Sequence, residues 1–302
     1  MNYMEQIMKI ETIQQYNELM GQETLHPLVS VIDLSKCQPM YNFKANYSFY
    51  AIFLKEVKCG DLRYGRNYYD YQDGTIVCIA PGQILGIEND GKKFKPKGMA
   101  LVFHPDLIRG TSLGQNIKNY TFFSYEVNEA LHISEKERDV IIDCMNKIQA
   151  ELNHDIDKHS KKLIARNIEL LLDYCDRFYD RQFITRNNVN KDILSRFEKV
   201  LDVFFTSDAP QEIGLPSVKY CADQLHLSPN YFGDLIKKET GKSPQEYIQI
   251  EVINIAKEKI SDTQKSISEI AYELGFKYPT HFTRLFKKCV GCTPNVYRLQ
   301  IQ

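Results

Sequence analysis

Ser217-Val-Lys-Tyr-Cys-Ala-Asp-Gln-Leu-His-Leu-Ser-Pro-Asn-Tyr-Phe-Gly-Asp-Leu-Ile-Lys-Lys238 and Ser266-Ile-Ser-Glu-Ile-Ala-Tyr-Glu-Leu-Gly-Phe-Lys-Tyr-Pro-Thr-His-Phe-Thr-Arg-Leu-Phe-Lys-Lys288 are two versions of one pattern. Ala222 and Leu225 match Ala271 and Leu274 at an offset of 49. Phe232, Leu235, Lys237, Lys238, Gly241, Pro244 and Tyr247 match Phe282, Leu285, Lys287, Lys288, Gly291, Pro294 and Tyr297 at an offset of 50. One extra residue in the second turn accounts for the shift. Each copy has the parts of a helix-turn-helix: a small residue where two helices cross, a leucine between them, a short turn, then a second helix. Gly275 supplies an unusual backbone conformation at one turn. Ser228 and Pro229 are a cap and a first helical residue. Phe232 with Leu235, and Phe282 with Leu285, point inward at i, i+3. The opposite faces are free to enter a major groove about 12 Å wide.

Ser243-Pro-Gln-Glu246 lies between the copies and has capping-box spacing with proline at the first position. It opens a helix through about Ile260, with Ile248, Val252, Ile255, Ala256 and Ile260 apolar. A rod of that length, roughly 25 Å at 1.5 Å per residue, holds two reading helices near one turn of DNA apart, about 34 Å.

The motifs Glu269-Ile-Ala-Tyr-Glu-Leu-Gly-Phe276, His281-Phe-Thr-Arg-Leu-Phe-Lys-Lys288 and Gly291-Cys-Thr-Pro-Asn-Val-Tyr-Arg298 resemble the AraC-type (AraC/XylS) family of transcription regulators. The resemblance covers about Ser217 to Leu299. It implies a sequence-specific reader of double-stranded DNA with an N-terminal sensor domain, often a cupin-like β-barrel, followed by dimerisation helices. Base-reading positions then fall on Asn230, Gly233 and Asp234 in the first copy and on Pro279, Thr280, Thr283 and Arg284 in the second. Arg284 suits guanine and Asn230 suits adenine. Lys237, Lys238, Lys287 and Lys288 approach phosphates. Tyr231 and His281 sit beside the reading face, where each packs or touches the DNA backbone rather than reads a base. Each lysine has a plainer reading as a solvated surface charge, and Arg284 as half of an intradomain ion pair. Two positions depart from the family pattern. Asp234 stands where a basic residue is frequent, and an acid there repels phosphate but accepts from cytosine N4. Glu251 replaces a common arginine of the spacer helix.

The rest of the chain gives the domain plan. Residues 1–126 read as mainly β, with strands over Tyr47–Val57, Gly74–Ile79 and Met99–Phe103 and turns at Gly60-Asp61, Asp73-Gly74 and Asp90-Gly91. Helices follow over about 134–206: one opened by the capping box Ser134-Glu135-Lys136-Glu137, one over about Lys158–Tyr179 and one over about Lys191–Phe205. Burial within the monomer and a dimer interface both suit these stripes. Residues 207–216, with two prolines and a glycine, read as a linker to the DNA-binding domain at 217–302. The fold class is therefore α+β, with an all-α C-terminal domain.

Composition sets outer limits. Hydrophobic residues at 43% and charged residues at 25% are ordinary for a globular protein with a sizeable core. The formal net charge of −1 announces no nucleic-acid partner for the whole chain. Residues 211–302 carry 12 Lys/Arg against 10 Asp/Glu, a mild excess that permits DNA binding without arguing for it. Eight scattered cysteines suggest free thiols in a reducing cytoplasm, and the Cys289/Cys292 pair lacks two further ligands for zinc. No signal peptide and no membrane-spanning stretch is evident.

Other functions are weighed against this. The seven histidines, His26, His104, His132, His154, His159, His226 and His281, include no His-x-His or HExxH spacing, and no P-loop is present. A metal-dependent cupin-type enzyme is thus disfavoured, no cofactor or catalytic residue is expected, and His104 reads as a cap before Pro105. A regulator without an effector, whose N-terminal domain only dimerises or contacts a protein such as RNA polymerase, stands as the alternative to small-molecule control. The aromatic stretch Tyr64–Tyr71 suits either a sugar-type site or ordinary packing.

Overall fold

The computed structural model describes residues 7–41, 43–55, 61–64, 67–69, 74–88, 93–126, 129–185, 187–262 and 264–301. Contacts divide the chain into two compact units, Met1–Thr185 and Arg186–Gln302.

The described residues of the N-terminal unit form ten strands: β1 (Met8–Ile10), β2 (Val29–Asp33), β3 (Phe43–Tyr47), β4 (Tyr50–Lys55), β5 (Asp61–Tyr64), β6 (Asn67–Tyr69), β7 (Thr75–Ile79), β8 (Ile84–Glu88), β9 (Gly98–Phe103) and β10 (Leu131–His132). Its helices are α1 (Ile13–Met20), α2 (Pro105–Ile108), α3 (Ser112–Asn116), α4 (Glu135–Leu152) and α5 (Ser160–Thr185). The strands form two five-stranded sheets, ordered β1-β3-β8-β5-β6 and β10-β7-β4-β9-β2. Among the described residues no strand pairing joins these sheets, so the barrel expected over 1–126 is not closed. Each sheet keeps two edge strands.

Side-chain alternation along the second sheet explains its long apolar runs. Ala51, Phe53, Val77, Ile79, Ala100 and Val102 join a core that includes Tyr16 of α1 and Ala45, Tyr47 and Leu85 of the first sheet. The intervening Ile52, Leu54, Ile76, Cys78, Leu101 and Phe103 are buried as well. They face the opposite way, and there Cys175 of α5 meets Cys78 of β7. A sheet covered on both faces reads as continuous rather than alternating. Helix α4 starts as its sequence dictates: Ser134 and Glu137 exchange both capping-box bonds. His104 caps α2, its Nδ1 accepting from the Asp106 N–H at 3.2 Å. The turn residues Gly60, Asp73, Asp90 and Gly91, Val57 at the end of one expected strand, and 65–66 and 70–71 of the aromatic stretch lie outside the described residues.

The C-terminal unit is all helix: α6 (Asn187–Thr206), α7 (Ala209–Ile213), α8 (Val218–Leu225), α9 (Pro229–Thr240), α10 (Pro244–Ile260), α11 (Ile267–Glu273), α12 (Pro279–Val290) and α13 (Pro294–Ile301). It begins about 20 residues before the boundary expected at 206/207, because α6 packs on α8 and α9. Phe197 of α6 is fully buried, edge-on to Phe232 at 5.0 Å and tilted against Tyr247 at 5.3 Å. Phe204 meets Tyr220 at 5.2 Å. Asn190 donates to Glu239 at 3.0 Å, and the Tyr247 hydroxyl donates to Glu198 at 2.7 Å. The apolar stripe of α6 was legible; its partner was not. Nor is 207–216 a bare linker. It contains α7, and Pro210 and Pro216 are buried.

Candidate nucleic-acid interface

Each helix-turn-helix is built from the same local chemistry. Ser217 caps α8 by accepting from Tyr220 N–H at 3.0 Å. Ser266 caps α11 in a complete capping box with Glu269. Ala222 and Ala271 are fully buried at the helix crossings, with Leu225 and Leu274 at 5% and 1% exposure beside them. The turns close with equivalent bonds: Leu227 N–H donates to Ala222 O at 3.0 Å, and Phe276 N–H to Ala271 O at 2.9 Å. The left-handed residue of the second turn is Gly275 at φ +89°, as its sequence suggests. Its counterpart in the first is His226 at φ +58°, the one positive-φ non-glycine among the described residues. Histidine tolerates this region better than most side chains.

Gly275 has a second reason to be glycine. A Cβ there would lie 2.8 Å from Gly214 C and 2.8 Å from Pro210 O, both backbone atoms. The segment after α6 thus passes directly over the second turn.

The two reading helices, α9 and α12, each start with proline and end at a left-handed glycine. The Gly241 and Gly291 N–H groups bond Lys237 O at 2.8 Å and Lys287 O at 2.9 Å. Their starts differ: Ser228 caps α9, whereas Tyr278 gives α12 no side-chain cap. Inward faces carry Phe232, Leu235 and Ile236 in α9, and Phe282 and Phe286 in α12. Leu285, expected inside, is half-buried, and Phe286 one position on takes the deeper place.

The predicted DNA-facing residues divide by exposure. Asn230, Lys237 and Lys238 of α9 are exposed, as are Thr280, His281, Arg284, Lys287 and Lys288 of α12. Gly233, Asp234, Pro279 and Thr283 are half-buried. Among the described residues Arg284 forms no ion pair. The Thr283 hydroxyl donates to Pro279 O at 3.0 Å, which leaves it an acceptor and a methyl group to present. Tyr231 is the exception: at 5% exposure its ring is packed inside and is not offered to a phosphate. Its counterpart at an offset of 50, His281, stays outside against Tyr278 at 5.4 Å. Gly233 has a right-handed φ, and a Cβ there would meet nothing within 4 Å. The fold does not require glycine at that position.

The lysines stand in pairs in the last turns of both helices, where positive charge also offsets the helix dipole. Glu246, in the first turn of α10, is held below the ordinary glutamate range chiefly by bonds from Ser243. Lys288 and Lys237 add to that effect, so the ends of both reading helices lie near the start of α10. Helix α10 is 17 residues long, about 25 Å. Two contacts missed in the sequence brace it. Glu273 of α11 bonds Lys259 of α10 at 3.0 Å and Lys265 at 2.6 Å. Arg298 of α13 donates to Ile260 O at 3.0 Å, satisfying a carbonyl at the end of α10.

Similarity to known proteins agrees with this arrangement. A family model described as a helix-turn-helix domain matches residues 221–300. The HTH-type transcriptional regulator YobQ of Bacillus subtilis is 35% identical over 252 residues, spanning 81% of this chain and 95% of that protein. The chain belongs to the AraC-type family of helix-turn-helix transcription regulators. This AraC-type regulator also resembles two longer B. subtilis proteins over its DNA-binding part alone. It is 39% identical to YtdP over 79 residues (26% of this chain) and 38% identical to YesN over 92 (29% of this chain). The chain spans 10% of YtdP and 25% of YesN. Among solved structures, an AraC-type DNA-binding-domain protein of Chromobacterium violaceum is 27% identical with a TM-score of 0.27, covering 28% of this chain and 75% of that one. The DNA-binding domain of AdpA, solved with a target DNA, is 20% identical with a TM-score of 0.30, covering 34% of this chain and 90% of that one. Superpositions this loose add nothing to the family assignment. The chain is an AraC-type DNA-binding transcription regulator.

Proposed function

We propose that this regulator lays α9 and α12 into two successive major-groove segments of one duplex. The observation that carries the reading is the repeated polar face. In both helices the aromatic side is buried, while the opposite side exposes Asn230 in one and Thr280 and Arg284 in the other, each followed by a lysine pair. Arg284 reads guanine by a bidentate contact and Asn230 reads adenine. Thr283 offers its methyl group to a thymine methyl. Gly233 lets the α9 backbone approach a base edge closely, and Asp234 accepts from cytosine N4. Pro279 and Thr280 complete the second reading surface. Lys237, Lys238, Lys287, Lys288 and His281 meet phosphates and supply affinity without sequence information.

The remaining assignments are part of the same proposal. The two N-terminal sheets act as a cupin-like sensor for a small molecule, and the protein works in the cytoplasm, without enzymatic activity, as a homodimer. The dimer reading rests on α5, where Leu163 and Leu170, one heptad apart, are 45% and 41% exposed. RNA polymerase is a further partner at promoters. No described helix is long and apolar enough to cross a membrane.

Selection of binding sites from random duplexes, followed by titration, tests the reading. Arg284→Ala should weaken the selected site by about 1–3 kcal/mol and relax preference at one base pair. Lys287→Ala should weaken all sequences about equally and reduce the salt slope by about 1. An Arg284→Ala protein with the wild-type site preference would remove Arg284 from the reading surface.

A further inference from the structure

The second sheet treats its two edges differently. At β10 the outer backbone groups are taken up by α5. His132 N–H donates to Gln182 Oε1 at 2.8 Å, Gln182 Nε2 donates to Ala130 O at 3.3 Å, and Arg181 donates to His132 O at 2.7 Å. At β2, the opposite edge, no such seal exists among the described residues. His104 N–H donates to Leu28 O at 2.8 Å, which places the β2–β9 bonds on Leu28, Ser30 and Ile32. Antiparallel alternation then turns the N–H and C=O groups of Val29, Val31 and Asp33 to the open side. No described group accepts from those three N–H groups. Natural edges are blunted by lysine, proline or a bulge. Val29-Ser-Val-Ile32 has neither residue, and its register with β9 runs from Val29↔Phe103 to Asp33↔Met99 without a bulge.

A groove of about 730 Å³ follows this edge. Val29, Val31 and Asp33 line it, with Asn146 and Gln149 of α4 and with Glu23 just beyond α1. Backbone groups that repeat at every second residue match another extended chain, and β2 offers them over about 17 Å. Asn146 and Gln149 lie one helical turn apart and present amide donors and acceptors to polar side chains. Among the charged lining residues, Asp33 is paired with Lys36 at 3.6 Å, whereas Glu23 is exposed and has no ion pair among the described residues. The groove therefore complements a basic side chain. With Lys36 committed to Asp33, it holds no free cation for a terminal carboxylate, which favours a segment internal to a longer chain. Edge-to-edge pairing of two copies would crowd two α4 helices into one groove, whereas a lone segment fits.

We propose that β2 and α4 form a docking groove for a partner protein, which adds one extended segment of about five residues to the open edge and sets a lysine or arginine against Glu23. The contact lies within the N-terminal unit, is separate from the reading helices and needs no effector.

Selection of a displayed library of random decapeptides on the full-length protein tests this. Enriched sequences are then synthesised with blocked termini and titrated by fluorescence polarisation. They should carry a lysine or arginine among β-branched residues and slow hydrogen exchange over Val29–Asp33. N-methylation of every second peptide nitrogen should weaken binding about tenfold or more in one phase of the alternation and under about threefold in the other. Val31→Pro removes one open-side N–H without costing a β2–β9 bond, and should weaken the peptides about tenfold while operator binding persists. Glu23→Lys, at an exposed position that folding does not use, should weaken them about tenfold as well. No enriched peptide, equal binding to wild type and Glu23→Lys, or N-methylation without phase dependence would overturn the proposal. A change of oligomeric state in Val31→Pro, with no peptide bound by the wild type, would assign the edge to a second copy and overturn it too.

Discussion

Replacing Phe197 by alanine tests whether α6 is part of the DNA-reading machinery. The ring is fully buried between Phe232, which lies on the inner face of the first reading helix, and Tyr247 of α10. Truncating such a phenylalanine costs about 3–5 kcal/mol in transfer and cavity terms. The lost edge-on ring pair accounts for about 0.5–1.5 kcal/mol of that. Domains are stable by only about 5–15 kcal/mol, so much of the margin disappears. Each 1.4 kcal/mol is tenfold, so the open state becomes roughly a hundred to a few thousand times more populated. Hydrogen exchange read by mass spectrometry localises the effect. Protection should fall in peptides covering α8 and α9, Val218–Leu225 and Pro229–Thr240, and persist in α4 and α5. Phe197→Leu, close in volume, should cost under about 1.5 kcal/mol and retain operator binding. The reasoning is refuted if the alanine variant loses protection in α4 and α5 while α8 and α9 stay as protected as in the wild type.

Gly275→Ala forces a Cβ onto the Gly214 and Pro210 backbone and a left-handed φ onto alanine; thermal melting should show a loss of about 2 kcal/mol or more. Gly233→Ala should do the reverse to stability, raising it by about 0.5–1 kcal/mol, because a mid-helix glycine is costly and the new methyl meets nothing. The same variant should bind operator more weakly in a gel-shift titration, and an unchanged or tighter complex would show that close backbone approach is not needed there. Glu273 has a lowered pKa, first because of the bond from Lys265 and then because of Lys259. A depressed carboxylate contributes stability that is complete above its ordinary pKa of 4.5 and drains away as pH falls through the lower folded value. Urea midpoints should therefore drop more steeply below pH 4.5 for the wild type than for Glu273→Gln, and parallel curves would remove Glu273 from the account.

The second half of the chain was open to reading because local signals agreed with one another there. Ser228-Pro229, the Ser243/Glu246 box and Gly275 act within a few residues, and each forms the element it announces. Matching residues at offsets of 49 and 50 then confirmed one copy by the other. Three things escaped because they depend on distant partners. The stripe on α6 says that something covers it, not that Phe232 does. Tyr231 and His281 are equivalent in the repeat, yet one is buried and one exposed, a difference set by neighbouring helices. Strands β2 and β8 and helix α1 went unread: Gly86 interrupts the apolar run of Ile84–Glu88, Ser30 and Asp33 that of Val29–Asp33, and Ile13–Met20 carries little more than two turns of pattern.

Anyone grafting this reader onto a different sensor inherits the boundary at residue 186. A fusion joined at 207 would discard Ile193, Phe197, Leu201 and Phe204, four buried side chains, and expose an oily trough along the first half of the reader. Such a hybrid would aggregate or read only its second half-site, and the fault would be mistaken for a failed sensor. Splicing ahead of Asn187 carries the prop along with what it supports.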